Sequence, residues 1–383
     1  MTTTRGAFSG MRGIAETPSY VVMQPTTLCN LDCAYCYLPW RAADRRMSVE
    51  VAEAVAAGVG DWAEAGRFSV VWHGGEPLAA GREHLAALMA PFPAGVEHHV
   101  QTNATLVDDA WCEFFLATGM RVSVSVDGPR ERNGDRVNRG GQPAYDRIMR
   151  GIGVLRRHGI GFSALCVVPE PTPDRAVELY AYFLDLGCDV LGINIEEQEG
   201  VNARVNDHAA ADVRGFWSAL TAAWRRDPRL HLREIEWSLR YAAAVLDGDE
   251  DAVLPRQLDP IPTVAHDGAV ILLSPELAGF SHPRYGDFST GNVLATPLPE
   301  LLRGAVATPW IAEFLTGVER CRSECAYFGF CGGAHAANRY FEIGRFDGTV
   351  TNHCRNSKMR LWEGVLDHVE EHEQPGPRTA ARP

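Results

Sequence analysis

The chain has 383 residues, 46% of them hydrophobic, so it can bury a substantial core as one large domain or two smaller ones. Acidic residues outnumber basic residues by 49 to 36, and the resulting formal charge of −13 argues against a nucleic-acid-binding surface. The N-terminus has no apolar signal core and no apolar run reaches membrane-spanning length, which predicts a cytoplasmic protein without a membrane partner. In a reducing compartment, ten cysteines indicate metal binding or catalysis rather than disulfides.

Short β-like runs alternate with helical patterns through the first half of the chain. The predicted strands are 20–23, 68–72, 98–101, 122–126, 162–168 and 190–195, and the helices between them are 49–65, 83–89, 108–118, 144–158 and 174–186. Six such repeats predict a parallel sheet covered by helices, a partial version of the eightfold barrel. Further along, the predicted elements are helices at 212–224, 232–246, 298–302 and 361–372, with an acidic linker at 247–262.

Unusual residues follow the predicted strands at the points where the strands end. Three cysteines follow the first strand, Gly-Gly-Glu-Pro at 74–77 follows the second, and Thr-Asn at 102–103 follows the third. Ser-Val-Asp-Gly at 125–128 closes the fourth strand, and Glu-Glu-Gln at 196–198 follows the sixth. Parallel α/β folds build their active sites at the carboxyl ends of strands, so these features are expected to share one site.

The first cysteine group consists of Cys29, Cys33 and Cys36. Iron–sulfur cubanes usually have four thiolate ligands, so a loop with three leaves one iron open. An open coordination position is what a metal needs to bind a substrate. A zinc knuckle or ordinary buried cysteines stay open on spacing alone, although no fourth zinc ligand is obvious nearby.

The second cysteine group lies near the C-terminus and has four members: Cys321, Cys325, Cys331 and Cys354. Four thiolates at this spacing suit either an all-thiolate iron–sulfur cluster or a structural zinc, and spacing barely separates the two. The other three cysteines, Cys112, Cys166 and Cys188, lie within strand or helix patterns and are predicted to be buried apolar residues. Cys166, on a predicted barrel strand, is the one that could reach the site.

The first group, with Tyr35 before its third cysteine, resembles the signature of the radical S-adenosylmethionine (SAM) enzymes. The resemblance implies a [4Fe-4S] cluster whose open iron chelates the amino and carboxylate groups of SAM. An electron from an external one-electron reductant then cleaves SAM to a 5′-deoxyadenosyl radical, which abstracts hydrogen from the substrate. By the same resemblance, the residues that contact SAM are Tyr35, Gly74, Gly75, Glu76, Asn103, Ser125, Asp127 and Arg136. Arg132 or Arg139 could replace Arg136 in this role, and Asn103 is equally typical of a turn or helix cap.

The second group, beside a radical cluster, resembles the C-terminal SPASM domain of peptide-modifying members of the family. Gly291-Asn292-Val293 before a predicted helix also fits that domain. Ser274 and His335 occupy positions where a second auxiliary cluster would need cysteines, so one auxiliary [4Fe-4S] cluster is predicted rather than two. His335 could still be a ligand or a substrate contact, and a structural role is at least as well supported.

Segments around these motifs narrow the resemblance to peptide maturases, and within them to the cyclophane-forming group. The segments are Gln24–Thr26, Tyr37–Pro39, Ser274–Leu277, Cys331–Gly333 and Thr349–Cys354. Such enzymes act on ribosomally made precursor peptides and join the β-carbon of one residue to an aromatic side chain. Glu276 and Asp267 are predicted as catalytic bases, with Glu196 and Glu197 as further candidates. The sequence does not distinguish among the four, and each could instead be a solvated loop carboxylate.

Other functions stay open at this point. Within the superfamily, the alternatives are a formylglycine-forming sulfatase maturase and a peptide epimerase, which needs a hydrogen donor such as Cys166. From another class, the alternative is a non-catalytic iron–sulfur module that binds peptides or carries electrons. The expected fold is α/β: a partial (β/α)6 TIM-like barrel of the radical SAM type with a C-terminal SPASM-like iron–sulfur domain. The predicted segments are an N-terminal extension (1–17), the barrel (18–205), a helical bridge and linker (206–262), the SPASM-like domain (263–362) and a C-terminal end (363–383).

Overall fold

The protein is described from a computed structural model, which covers residues 13–65, 68–249 and 257–369. Its strands are β1 (Tyr20–Met23), β2 (Ser69–Trp72), β3 (Glu97–Thr102), β4 (Arg121–Ser125), β5 (Phe162–Val168), β6 (Val190–Ile195), β7 (His231–Leu232), β8 (Thr263–Val264), β9 (Ala269–Ile271) and β10 (Gly291–Asn292). All ten form one sheet in the order β10-β9-β8-β1-β2-β3-β4-β5-β6-β7. The pairs from β8 through β1 to β7 are parallel, and β9 is antiparallel to both β8 and β10.

The barrel helices are α1 (Val49–Ala65), α2 (Arg82–Met89), α3 (Asp109–Thr118), α4 (Tyr145–Arg157) and α5 (Pro173–Leu186). The later helices are α6 (Ala210–Arg226), α7 (Arg233–Leu246), α8 (Leu298–Arg303), α9 (Pro309–Glu324), α10 (Phe328–Cys331), α11 (Ala336–Ile343) and α12 (Arg360–Val369). A π-helical turn, Cys354–Met359, leads directly into α12. In the described part of the chain, no helix is both long and apolar enough to cross a membrane.

The six predicted strand–helix repeats are confirmed, with boundaries that differ by one or two residues. Strand β4, for example, begins at Arg121 and ends at Ser125 rather than covering 122–126. The short strands β7 to β10 were not predicted, because two or three residues show no periodicity. Strand β8 pairs with β1, so the predicted C-terminal domain continues the barrel sheet. The predicted extension, linker and tail lie partly outside the described residues, at 1–12, 250–256 and 370–383.

Burial alternates along β5, which shows that successive side chains face opposite sides of the sheet. Phe162, Ala164, Cys166 and Val168 are buried, whereas the residues between them are less so. Successive side chains of a strand point to opposite faces, so Cys166 packs among the apolar residues under the helices.

Helix α6 fastens the C-terminal segment to the barrel by packing against both α5 and α12. At the crossing of α6 with α12, a Cβ atom on Gly364 would lie 2.7 Å from Trp217 Cβ and 2.8 Å from Arg214 O, which only a glycine avoids. The indole Nε1 of Trp217 donates to Asn356 O at 2.9 Å and so holds the π-helical turn against α6. This packing places Cys354 and its neighbours next to the barrel.

Candidate active site

A cavity of about 640 Å³ lies at the carboxyl ends of the parallel strands. Cys29, Cys33 and Cys36 line one part of its wall, and residues from the ends of β2 to β6 line the remainder of the barrel side. The expectation that the strand-end motifs share one site is confirmed for the cysteines, Gly75-Glu76, Asn103, Ser125 and Glu196-Glu197, all of which line this cavity.

The three cysteines of the first group are half-buried on one compact loop after β1. Cys36 N donates to Cys33 O at 3.1 Å, and Cys29 N donates to Arg41 O at 2.9 Å. Burial raises the pKa of Cys29 to about 12 and that of Cys33 to about 11, and it also raises the pKa of Cys36. Three neighbouring thiolates are therefore unfavourable unless cations compensate them, which is what the irons of a cluster supply.

The Gly-Gly-Glu-Pro turn is locked against the loop that carries the cysteines. Gly75 has a φ of +64°, and a Cβ atom there would lie 2.6 Å from Leu28 O, so only glycine permits this approach. Glu76 N donates to that same Leu28 O at 2.8 Å. The Glu76 carboxylate accepts from Thr102 Oγ1 at 2.6 Å and from Asn103 N at 2.8 Å, and burial raises its pKa to about 7. The turn, the end of β3 and the cysteine loop thus form one rigid unit.

A buried ion pair supports the opposite side of the cysteine loop. Arg136 donates to Asp127 through Nε at 2.8 Å and through one Nη at 2.9 Å. The same carboxylate accepts from Tyr35 OH at 2.5 Å and from Val167 N at 3.0 Å. The other terminal nitrogen of Arg136 has no hydrogen-bond partner among the described residues, and Arg136 lines the cavity. An anionic group in the cavity is therefore within the reach of a fixed guanidinium.

Six of the eight residues predicted to contact SAM line the cavity: Tyr35, Gly75, Glu76, Asn103, Ser125 and Arg136. The structure does not bring the other two there. The carboxylate of Asp127 is used to hold Arg136, Tyr35 and the backbone of β5. Gly74 packs instead on Gln24, whose Nε2 would lie 2.9 Å from an added Cβ. Asn103 lines the cavity and also has the predicted turn role, because its side chain bonds Asn30 and Thr105 N.

The far wall of the cavity carries several carboxylates and imidazoles from the C-terminal half. Glu276 lines the cavity, its buried Oε2 has no hydrogen-bond partner within the described ranges, and burial raises its pKa to about 7. Burial acts to raise the pKa of Glu197 as well, but His353, with Nδ1 at 3.1 Å from Oε2, and Asn338 lower it to about 2. Glu276 thus has an oxygen without a partner and a pKa suited to proton transfer near neutrality.

The other candidate bases are less suitably placed. Asp267 is exposed, caps its own turn by accepting from Ala269 N at 3.2 Å, and lines a separate cavity, so the structure does not bring it to the active-site cavity. Glu196 lines the active-site cavity but accepts from Asn202 Nδ2 at 3.0 Å and pairs with Arg204 at 3.5 Å. His335 also lines this cavity, its ring centroid is 5.1 Å from that of His353, and burial lowers its pKa to about 3. A neutral His335 facing the cavity fits the predicted substrate contact.

The four cysteines of the second group surround a small cavity of their own: Cys321, Cys325, Cys331 and Cys354. A fully buried guanidinium, that of Arg339, donates to Cys321 Sγ at 3.3 Å and to Gly333 O at 2.6 Å. Thr351 Oγ1 donates to Cys354 Sγ at 3.2 Å. In the described part of the chain, Arg339 forms no ion pair with a carboxylate. A buried cation of this kind needs an anionic neighbour, and a thiolate-ligated centre supplies one.

Two further observations concern the remaining predicted sites. Ser274, at a position where a second auxiliary cluster would need a cysteine, is fully buried and accepts from Ala337 N at 3.1 Å, so it ties α11 to the sheet. Within the described ranges, no three His, Cys, Asp or Glu side chains meet closely enough to enclose a single metal ion. Both cysteine groups instead line the walls of cavities.

The comparisons with known proteins agree with this fold and this site. Residues 23–183 match the model of the Radical SAM superfamily. The protein sll1766 of Synechocystis sp., which is uncharacterized, is 31% identical over 369 residues and covers 92% of both chains. The chain belongs to the Radical SAM superfamily and is an enzyme of that superfamily.

Other relatives include sulfatase-maturating enzymes, and the solved structures with this fold include one bound to a precursor peptide. The serine-type anaerobic sulfatase-maturating enzyme of Bacteroides thetaiotaomicron is 30% identical over 217 residues, which is 53% of this chain and 52% of that enzyme. The chain thus matches about half the length of that relative. The solved structure of anSMEcpe with bound AdoMet aligns with a TM-score of 0.71 and 21% identity over 92% of this chain and 98% of the other. Streptococcus suis SuiB bound to its precursor peptide SuiA aligns with a TM-score of 0.65 and 17% identity, covering 88% and 76%.

The fold is therefore the radical SAM fold, and its C-terminal cysteine-rich region fits a SPASM-like domain. Members of the superfamily use SAM and a [4Fe-4S] cluster. The residues present fit both groups: three half-buried thiols line one cavity with a fixed guanidinium and a fixed carboxylate, and four thiols line the next cavity beside a buried Arg339. When bound, the first cluster and SAM supply a carbon radical that takes a hydrogen atom from the substrate.

Several residues at the two cavities were not predicted from the sequence. His73 lines the cavity, and its Nε2 lies 2.9 Å from Tyr37 OH, but an isolated histidine after a strand carries no distinctive spacing. His353 was not predicted, because it meets the candidate base Glu197 only through the tertiary fold. Arg339 lies in an ordinary helical pattern, where an arginine is normally expected on the surface. Lys358 could have been noticed from composition, because it is the one lysine in the sequence.

Proposed function

We propose that this enzyme oxidatively modifies a ribosomally made precursor peptide, forming a cyclophane-type cross-link between an aromatic side chain and the β-carbon of another residue. The observation that carries the proposal is the composition of one cavity. Its wall includes the cysteine triad and Glu276, and it borders the second cysteine group, because Lys358 lines both cavities. A site with this composition can remove a hydrogen atom, a proton and an electron from a bound peptide.

The residues divide these tasks as follows. Cys29, Cys33 and Cys36 would hold the first cluster, and Glu76 and Arg136 would bind the ammonium and carboxylate groups of SAM. SAM bound there would supply a radical for removal of one hydrogen atom from the β-carbon, and formation of the carbon–carbon bond to the aromatic ring would leave a ring proton and one electron to be removed. Glu276 would accept that proton, and Cys321, Cys325, Cys331 and Cys354 would hold the centre that accepts the electron. The substrate therefore loses two hydrogens in all, and an external one-electron reductant restores the first cluster.

The part of the cavity wall beyond the SAM-binding residues is suited to contacts with a peptide. Besides the SAM-binding part, the cavity extends along Trp237, His335 and Glu276 to a total of about 640 Å³. Its far wall combines an aromatic ring with carboxylates and imidazoles, a surface suited to the side chains and backbone of a peptide. The peptide complex of SuiB, a structural neighbour, supports the same class of substrate.

The position of Cys166 counts against the epimerase alternative. An epimerase must return a hydrogen atom to the peptide, often from a cysteine thiol. Cys166 is fully buried on the helix side of β5, and Leu165 and Val167 are the residues of that strand that line the cavity. Within the described residues, the cysteines that line this cavity are those of the triad.

Sulfatase maturation is the second candidate, favoured by the sequence similarity to the sulfatase-maturating enzymes. Serine oxidation to formylglycine also removes two hydrogens, so mass alone does not separate it from cross-linking. A decisive experiment is coexpression with short peptides encoded beside the gene, followed by tandem mass spectrometry and treatment with an aldehyde-reactive hydrazide. Cross-linking predicts a loss of two hydrogens, missing fragment ions between the joined residues and no hydrazide adduct. A hydrazide adduct would refute it in favour of formylglycine, and altered stereochemistry at unchanged mass would refute it in favour of epimerisation.

A further inference from the structure

Lys358 is chemically exceptional in this chain. The sequence has 36 basic residues apart from histidine, and Lys358 is the one among them that is not arginine. Arginine carries a broad planar fork, whereas lysine carries a compact ammonium on a flexible stem, so the two do not substitute freely at a confined site. A single lysine in a chain whose other 35 such residues are arginine sets position 358 apart.

Lys358 lies between the two cavities that are lined by the cysteine groups. Its side chain lines the active-site cavity and also the small cavity surrounded by the second cysteine group. It belongs to the π-helical turn Cys354–Met359, a kind of turn that occurs frequently at functional sites. Its Nζ lies 4.6 Å from the ring centroid of Trp237, a cavity residue that stacks in turn on Phe330, with centroids 4.4 Å apart. Phe330 immediately precedes Cys331, so this contact links the cavity wall to the second group.

The charge of Lys358 is not neutralised by a carboxylate. In the part of the chain that the structure describes, no ion pair involves Lys358, although the chain as a whole is acidic. Its charge also acts in the active-site cavity, where burial, followed by the charges of His353 and Lys358, lowers the pKa of His335 to about 3.

We propose that Lys358 is a positioning residue that sets the reduction potential of the centre on the second cysteine group and draws the electron released in the active-site cavity toward it. The proposal rests on the proposed function in one respect, namely that the second group holds an iron–sulfur cluster. Such a cluster gains one negative charge on reduction, and a nearby unpaired cation stabilises the reduced form more than the oxidised form. Arg339 supplies a cation on the buried side of the second cysteine group, and Lys358 supplies one on the side that faces the active-site cavity.

The test measures a potential rather than turnover. The triple variant Cys29→Ala, Cys33→Ala, Cys36→Ala removes the first cluster, so that redox titration followed by electron paramagnetic resonance reports only the second. In this background, Lys358→Met removes the charge at similar length, and Lys358→Arg keeps it. Arg355→Met is the matched control, because it removes one positive charge from the same turn at an exposed position.

We expect Lys358→Met to shift the reduction equilibrium at least tenfold toward the oxidised form, a fall of about 59 mV for a one-electron couple. Lys358→Arg and Arg355→Met should leave the equilibrium within about threefold of the parent. An unchanged potential in Lys358→Met with iron bound would overturn this inference and leave the proposed function intact. So would a fall in the potential of Arg355→Met equal to that of Lys358→Met. Absence of iron from the triple variant with Lys358 intact would instead refute the second cluster of the proposed function, and this inference with it.

Discussion

The buried guanidinium of Arg339 donates a hydrogen bond to the Sγ atom of Cys321 at 3.3 Å. Arg339 has no solvent exposure, and its other contacts are backbone carbonyls of Phe314, Gly333 and Phe346. A charge in such a place is tolerated only beside an opposite charge. The arrangement therefore favours a permanently anionic centre on the four cysteines of the second group.

Removing the Arg339 charge should weaken that centre. We expect Arg339→Met to lower the free energy of unfolding of the reconstituted protein by at least about 3 kcal/mol, because one partner of a buried charge pair is lost and carbonyl acceptors are left unpaired. Chemical unfolding under anaerobic conditions measures this, and iron analysis should show loss of iron from the second group. Arg303→Met, at the exposed end of α8, is the control and should leave both quantities unchanged. A stability equal to that of the parent would contradict the role given to Arg339.

Substitution of Asp127 should weaken SAM binding although this residue does not line the cavity. In Asp127→Asn, the hydrogen bonds to Arg136 and Tyr35 lose their anionic acceptor, so both cavity residues lose their fixed positions. We expect the dissociation constant of SAM to rise about 10- to 100-fold, since hydrogen bonds to charged groups contribute about 1.5–3 kcal/mol. Equilibrium binding to the reconstituted enzyme measures it. Asp146→Asn breaks the exposed pair with Arg130 and should leave affinity unchanged, and equal losses in the two variants would refute the argument.

Gly75 and Gly81 form a matched pair for testing the contact between the turn and the cysteine loop. Both have positive φ, +64° and +88°, so alanine is strained at either position. Only at Gly75 does an added Cβ meet backbone, 2.6 Å from Leu28 O and 2.7 Å from Thr26 O, whereas at Gly81 nothing lies within 4 Å. We expect Gly75→Ala to lose the iron of the first group, measured by iron analysis and absorbance, and Gly81→Ala to retain it. Retention in both variants would show that the contact does not support the cluster loop.

Glu276 and Asp267 were both predicted as bases, and the structure separates them. We expect Glu276→Gln to slow cross-linking about 10²- to 10⁴-fold while formation of 5′-deoxyadenosine continues. Asp267→Asn should have no effect, because that carboxylate is exposed at another cavity. Because a base acts only when deprotonated and burial raises the pKa of Glu276 to about 7, the wild-type rate should rise with pH up to about 7 and level off above it. A rate that falls as pH rises through 7, or normal turnover in Glu276→Gln, would exclude this role.

Much of the site follows from the sequence because strand ends of a parallel sheet meet at one edge. That rule alone brings Cys29, Gly75 and Asn103 together, and the spacing of the cysteines supplies the chemistry. The features that the sequence did not predict depend on contacts between segments that are distant in sequence. Asp127 does not line the cavity, because its carboxylate accepts hydrogen bonds from Arg136 and from Val167 N at the end of β5. Arg339 is buried where it donates to the backbone carbonyls of Phe314, Gly333 and Phe346, and no local sequence pattern predicts those contacts.

The central claim is that Cys29, Cys33 and Cys36 hold the cluster that cleaves SAM, while the second cysteine group holds a separate cluster. The most direct measurement is the yield of 5′-deoxyadenosine from the anaerobically reconstituted and reduced protein, with iron counted in the same samples. The wild type should form 5′-deoxyadenosine. The triple alanine variant of the three cysteines should form none while keeping about half of the iron. Formation of 5′-deoxyadenosine by the triple variant, or none by a wild type with both clusters loaded, would contradict the claim.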